Sequence, residues 1–165
     1  MSVHEHKRHA RGNLKVGVIT ASDTRTPETD ESGKLIRQLF EAAGHQVAYY
    51  EILPDEPKKI AASLAKILPD LDAMIVNGGT GVTARDGTTE VVESLIDKEL
   101  KGFGEIFRTL SYAEIGSAAM MSRAIAGVRH GKFLAAIPGS PAACRLAMEK
   151  LILPELGHIV SLLSQ

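Results

Sequence analysis

The chain has 165 residues, of which 44% are apolar and 24% are charged, and its formal net charge is −1. This composition is that of a globular domain large enough to bury a core. A nearly neutral and well-mixed charge excludes nucleic acid or an anionic membrane held by bulk charge. No apolar run approaches the ~20 residues of a membrane helix, and the single cysteine, Cys144, excludes an internal disulfide.

Residues 1–13 are polar and predict a flexible tail ahead of one domain over residues 14–165. The tail has no apolar segment of the kind that a secretory signal needs, so we expect a cytoplasmic protein. Its histidines, His4, His6 and His9, are expected to be solvated rather than to bind a metal.

Short β-branched runs alternate with amphipathic segments along the domain. The runs that predict buried strands are residues 14–20, 47–53, 73–76 and 132–137. The first helix is expected to start at Ser32 as N-cap and to stop at Gly44. Further helices are predicted near Pro57 and over residues 89–99, 104–110, 118–126, 141–151 and 154–163. Strands that alternate with helices indicate an α/β fold with a mostly parallel sheet.

A glycine-rich turn directly follows the third predicted strand. Residues 77–86 have the sequence Asn-Gly-Gly-Thr-Gly-Val-Thr-Ala-Arg-Asp. Three glycines in four residues let the backbone approach a ligand, and successive N–H groups can form an anion-binding nest. The spacing is neither that of a P-loop nor that of a dinucleotide fingerprint. The pattern predicts a phosphate site, with a plain tight turn as the alternative.

Arg85 and Asp86 come just after this turn. Arginine pairs with phosphate, and aspartate binds Mg²⁺, so both residues suit a phosphorylated ligand. The alternative for Asp86 is an N-cap of the helix that begins near Thr88. The pattern alone leaves both roles open.

Polar residues also follow other strands, at the sheet edge where α/β proteins bind ligands. Ser22, Asp23 and Arg25 either contact a polar ligand or belong to a plain surface loop. Residues 138–141, Pro-Gly-Ser-Pro, form a helix start with Ser140 as N-cap, and a second anion site is the other interpretation.

Three further residues have structural roles as their default. Asp55 precedes Pro57 at a helix start, which favours an N-cap. Cys144 lies among apolar helix residues and is expected to be buried and inert. Met120 and Met121 follow small residues in the segment 116–121, which predicts a core or a subunit contact.

Together these motifs resemble the MoaB/MogA family of molybdenum cofactor biosynthesis proteins, whose relatives include the G domain of gephyrin. The resemblance runs from about Val16 to about Pro154 and is closer to the MoaB branch. Its landmarks are Ser22-Asp23-Thr24-Arg25, Asp30-Glu31-Ser32-Gly33, Pro54-Asp55-Glu56, Gly78-Gly79-Thr80-Gly81 with Arg85-Asp86, Gly102-Phe103-Gly104-Glu105, Ser122-Arg123 with Gly127, and Pro138-Gly139-Ser140-Pro141.

The resemblance implies a single-domain, three-layer α/β/α sandwich that binds molybdopterin. Adenylyltransferase members join molybdopterin to AMP from Mg·ATP and release pyrophosphate. Their catalytic acidic residues correspond here to Asp55 and Asp86, and Asp86 is the expected Mg²⁺ ligand. The other implied binding residues are Ser22, Asp23, Gly78, Gly79, Thr80, Gly81, Arg85, Ser122, Pro138, Gly139 and Ser140.

One departure keeps the activity open. Gly87-Thr88 stands where the family usually has Val-Thr, which loosens the backbone beside Asp86. Some members of the MoaB branch lack the transferase activity. The resemblance therefore implies either an adenylyltransferase or a non-catalytic protein that holds or hands over molybdopterin. It also implies a homo-oligomer, trimeric or hexameric, and other enzymes of the pathway as partners.

Overall fold

One mixed sheet organises the chain. The computed structural model describes residues 11–165, so the predictions for the histidines of the tail lie outside the described residues. The sheet has six strands in the order β2-β1-β3-β6-β5-β4. The strands are β1 Lys15–Ala21, β2 Gln46–Leu53, β3 Ala73–Asn77, β4 Lys98–Glu99, β5 Ile125–Arg129 and β6 Lys132–Ile137. The strands β2, β1, β3 and β6 are parallel to one another. At the other end of the order, β5 is antiparallel to both of its neighbours, β6 and β4.

Helices cover both faces of the sheet, which confirms the three-layer prediction. The helices are α1 Glu31–Ala42, α2 Pro57–Ile67, α3 Thr88–Leu95, α4 Lys101–Ile115, α5 Pro141–Ala147 and α6 Leu153–Leu163. On one face, Phe40 and Phe107 pack in a core cluster with Ile75 of β3. On the other face, Ile60 and Val92 pack with strand residues. No helix of the described part of the chain is long and apolar enough to cross a membrane.

The first helix begins differently from the prediction. Asp30, not Ser32, is the N-cap, and its Oδ1 accepts a hydrogen bond from the Gly33 amide at 2.9 Å. Asp30 is also held by Thr20, whose hydroxyl donates to its Oδ2 at 2.7 Å. A carboxylate fixed in this way competes better for the helix amides than the Ser32 hydroxyl does. Ser32 instead donates to the Gly139 carbonyl at 2.6 Å.

Three predicted helices in the middle of the chain differ from the structure. The helix predicted over residues 89–99 ends at Leu95, because Lys98–Glu99 pairs with β5. The helix predicted over 104–110 extends over Lys101–Ile115. The helix predicted over 118–126 is wrong: Gly116–Met121 is a 3₁₀ turn, and Ile125–Arg129 is β5.

The tertiary pairing of β5 explains the last of these errors. Small and apolar residues such as those of β5 fit a buried helix or a buried strand equally well. A two-residue turn with positive φ at His130 and Gly131 joins β5 to β6 as an antiparallel hairpin. The two helices predicted at the end of the chain are continuous, since a π-helical turn over Met148–Ile152 joins α5 to α6.

Candidate functional site

The glycine turn lies where β1, β3 and β6 end side by side. Gly78 and Gly79 have φ values of +94° and +68°, a region that favours glycine. A Cβ on Gly78 would overlap the Ala21 carbonyl oxygen, and a Cβ on Gly139 would lie 3.2 Å from the Gly78 Cα. The Gly78 amide donates to the Ile137 carbonyl at 3.0 Å. Three chain segments therefore meet here with no room for side chains between them.

A small pocket of about 110 Å³ opens at this junction. The residues that line it are Thr20, Ala21, Ser22, Arg25, Asp30, Asn77, Gly78 and Gly139. The sequence predictions Ser22, Gly78 and Gly139 are thus brought together. The Ser22 Oγ accepts from the Arg25 amide at 3.1 Å and from the Thr24 amide at 3.3 Å, which orders the loop after β1.

A buried hydrogen-bond network supports the floor of the pocket. The Asn77 Nδ2 donates to the Thr20 Oγ1 at 2.9 Å, and this hydroxyl donates to Asp30. The Tyr50 hydroxyl donates to the same Asp30 oxygen at 2.6 Å. Burial and the bond to Asp30 raise the pKa of Tyr50 to about 12. The network joins β3, β1 and β2 through Asp30, while the Asn77 Oδ1 has no hydrogen-bond partner among the described residues.

The turn over residues 138–141 is a helix start, as predicted. The Ser140 Oγ accepts from the Ala143 amide at 3.3 Å and caps α5. The Cys144 thiol is buried and donates to the Pro138 carbonyl at 3.1 Å. The prediction that this thiol is buried is confirmed, and burial raises the pKa of Cys144 to about 12, which disfavours the reactive thiolate.

Arg85 reaches the loop that follows β1. Its Nη2 pairs with the Asp23 Oδ2 at 2.6 Å. The Asp23 Oδ1 accepts from the Asp55 amide at 3.1 Å. Both side chains of the pair are well exposed, so a stronger anion such as phosphate can displace Asp23 from Arg85.

Asp55 does not cap a helix, so that prediction is wrong. The N-cap of α2 is Glu56, and no side chain caps it. The Asp55 Oδ1 is buried beside Gly79 and Thr88, and it has no hydrogen-bond partner within the described residues. Burial raises the pKa of Asp55, and the nearby charges of Asp86 and Asp23 raise it further. The Gly87 backbone also bonds to this carboxyl group and offsets part of the rise in its pKa, so the unpartnered atom is Oδ1 alone.

Asp86 does not cap a helix either. The N-cap of α3 is Gly87, which makes no side-chain bond. The Asp86 Oδ2 accepts from the Thr83 amide at 2.8 Å and from the Thr83 hydroxyl at 2.7 Å. Burial works against ionisation, but the hydrogen bonds from Thr83 and Gly81 outweigh it and lower the pKa of Asp86. The ionised Asp86 carboxylate therefore stabilises the loop that joins Thr83 to Asp86.

Arg123 fastens the glycine loop to the rest of the domain, a role that the sequence did not indicate. Its amide donates to the Thr80 carbonyl at 3.1 Å, and its Nε donates to the Gly81 carbonyl at 2.8 Å. Its Nη2 donates to the Asp86 carbonyl at 3.2 Å, and its guanidinium pairs with Glu90. The sequence offered Arg123 only as a landmark of the family resemblance, together with Ser122, and gave it no role.

Ser122 stands apart from the other predicted site residues. It lines a separate cavity of about 310 Å³ together with Thr89, Arg108 and Arg123. Its Oγ is buried without a hydrogen-bond partner among residues 11–165. This cavity borders the glycine loop, because Arg123, which lines it, bonds to the Thr80 and Gly81 carbonyls.

The family model for the probable molybdopterin binding domain matches residues 17–158. The chain belongs to this family. Molybdenum cofactor biosynthesis protein B of Bacillus subtilis strain 168 is 53% identical over 163 residues, which cover 97% of this chain and 96% of that protein. The predicted resemblance is therefore confirmed.

Solved structures share the fold of this chain. The crystal structure of the tungsten cofactor synthesizing protein MoaB from Pyrococcus furiosus superposes with a TM-score of 0.85 at 35% identity, over 94% of this chain and 100% of that one. The molybdopterin biosynthesis Mog protein from Mycobacterium ulcerans has a TM-score of 0.84 at 23% identity, over 93% and 99% of the two chains. The second likeness shows the fold alone, and the higher identities lie with the MoaB branch.

Proposed function

We propose that this protein works in molybdenum cofactor biosynthesis by binding molybdopterin and joining it to AMP from Mg·ATP. The observation that carries the proposal is the free carboxylate oxygen of Asp55 beside the positive-φ turn at Gly78 and Gly79. An anion-binding backbone turn next to a carboxylate oxygen without a donor suits a transfer between phosphates.

In the proposed reaction, a terminal phosphate oxygen of molybdopterin attacks the α-phosphorus of ATP. A new P–O bond forms, the bond from the α-phosphorus to the bridging oxygen breaks, and pyrophosphate leaves with the electron pair. The protein contributes position and charge: the amides of Gly79 and Thr80 bind phosphate oxygens, and Arg85 exchanges Asp23 for phosphate.

The residues present fit a magnesium ion shared with the substrates. No group of three or more His, Cys, Asp or Glu side chains within residues 11–165 could hold a metal by itself. Mg²⁺ commonly takes one or two protein carboxylates together with substrate phosphates. The buried Asp55 Oδ1 is an oxygen without a donor, and Asp86 is the second carboxylate. Bound there, the ion would neutralise charge on the phosphates.

The test is to incubate the pure protein with molybdopterin and Mg·ATP, and to measure pyrophosphate and adenylylated molybdopterin. We expect both products in equal amounts, and neither when ATP is omitted. Molybdopterin binding without pyrophosphate would contradict the transfer step.

A binding or hand-over role is the second candidate, and the geometry of Asp86 favours it. Its Oδ2 already accepts two hydrogen bonds from Thr83, so less of this carboxylate is available to a metal. Calorimetry with molybdopterin, in the presence and in the absence of Mg·ATP, distinguishes the two roles. A hand-over protein binds molybdopterin equally well with and without Mg·ATP, whereas the transferase consumes it.

We also propose that the protein is a homo-oligomer, trimeric or hexameric. Exposed apolar side chains cluster at the end of α4 and in the following turn, where Tyr112 is 64% and Met120 is 80% exposed. Such a surface favours a subunit contact over the core role that was the alternative for the Met pair.

Light scattering tests this assembly. We expect a multiple of the 17.7 kDa chain mass, and Met120→Glu should shift the mass toward that of the monomer. Leu162→Glu, a change at an exposed leucine of α6, is the control and should leave the mass unchanged. A monomeric parent protein would contradict the proposal.

A further inference from the structure

A cavity of about 400 Å³ lies on the face covered by α2 and α3, away from the pocket at the strand ends. Its apolar wall comes from α2, the turn after it and the end of α3. The residues that line it are Leu64, Ala65, Leu68, Pro69, Leu95, Arg129, His130 and Lys132. Its volume lies within the range of small-molecule sites, roughly 300–1,000 Å³.

The opposite wall of the cavity is basic. Arg129, His130 and Lys132 all come from the β5–β6 hairpin. Arg129 pairs with Asp97 at 3.2 Å, and the His130 amide donates to the same carboxylate at 2.6 Å. None of the ion pairs within the described residues includes Lys132, and no acidic side chain there lines the cavity.

We infer that this cavity is a second ligand site, for a small molecule with an apolar body and one anionic group. The leucine wall, with Leu64 and Leu68 buried at its floor, would cover the apolar body. The anionic group would pair with Lys132, the cation that lacks a partner. An apolar pocket with a few polar groups on one side is the usual form of a site for such a ligand.

This site is separate from the proposed transferase site. Lys132 begins β6, and Ile137 at the other end of that strand bonds to the Gly78 amide. Five residue steps along a strand cover roughly 16 Å. The two sites therefore lie at opposite ends of the strands, and the inference stands whether or not the protein transfers AMP.

Two fluorescent probes with the same rings test the inference on the full chain. One is 1-anilinonaphthalene-8-sulfonate, which is anionic, and the other is N-phenyl-1-naphthylamine, which lacks the sulfonate. We expect one molecule of either probe to bind per chain. Ala65→Trp, at an exposed position of α2, fills the cavity and should abolish binding of both probes.

Lys132→Gln separates charge from shape. It should weaken binding of the sulfonate about three- to tenfold and leave the uncharged probe unchanged. Lys66→Gln removes a lysine of α2 that does not line the cavity, and it should bind both probes like the parent. The inference is overturned if the parent binds neither probe, if Ala65→Trp binds them like the parent, or if Lys132→Gln and Lys66→Gln behave alike.

Discussion

Asp55 and Asp86 both follow parallel strands and lie near the same glycine turn, yet their surroundings are opposite. The Asp55 Oδ1 is buried without a donor among the described residues, and burial raises its pKa. Asp86 accepts hydrogen bonds from Thr83 and Gly81, and these lower its pKa. The difference teaches that donors, rather than position near the turn, decide which carboxylate remains available to a ligand.

The largest expected effect is that of Asp55→Asn on turnover. The change removes the charge of Asp55, which, unlike Asp86, has a buried oxygen without a donor among the described residues. We expect adenylyl transfer to fall by ~10²–10³ while molybdopterin still binds. Stopped assays of pyrophosphate release measure this loss. Parent-like turnover would show that the free oxygen has no part in the reaction.

Arg123→Ala tests the support of the loop that contains Asp86. The change removes side-chain bonds to the Gly81 and Asp86 carbonyls and the pair with Glu90. We expect the free energy of unfolding to fall by about 1–3 kcal/mol in urea titrations. Arg145→Ala, which breaks only an exposed pair with Glu149, is the control and should cost about 0.5 kcal/mol or less. Equal losses would show that the loop does not depend on Arg123.

Asp86→Asn is expected to have a smaller effect than either change. Asparagine keeps one acceptor for Thr83 and loses the charge, so we expect about 1 kcal/mol less stability. Turnover should fall about tenfold, because one oxygen of Asp86 already serves the loop. A loss as large as that of Asp55→Asn would show that the two carboxylates bind the metal equally, and the contrast between them would fail.

The smallest effect concerns the pH dependence of stability. The Asp86 pKa is lowered in the folded state, so its contribution is present above the ordinary pKa of about 3.9 and is lost as the pH falls further. The Asp55 pKa is raised, so its charge destabilises the folded state as the pH rises through that pKa. In melting curves from pH 3 to pH 7, the difference in melting temperature between Asp86→Asn and the parent should therefore become smaller at low pH.

The same curves should show that the stability of Asp55→Asn increases relative to that of the parent as the pH rises. Chain stability alone decides this outcome, so it does not depend on any activity. Curves of the two variants that run parallel to each other would contradict the opposite pKa shifts.

Local signals in the sequence predicted much of the fold and part of the site. The runs at residues 14–20, 47–53, 73–76 and 132–137 are strands because continuous β-branched segments between turn residues suit a sheet covered on both faces. The turn at Gly78 and Gly79 was recognisable because only glycine takes its backbone angles readily. The Ser140 cap follows from Pro141 at the next position.

Contacts between distant residues decided the rest. The segment at Ile125–Arg129 became a strand through its pairing with β6, since its small apolar residues have no period that excludes a helix. Asp30 became the N-cap of α1 because Thr20 and Tyr50 hold it there. Arg123 is 42 residues from the Gly81 carbonyl that it binds, and a local sequence pattern cannot predict a contact over that separation. The roles of Asp55 and Asp86 depend on burial and on donors, which exist only once the chain is folded.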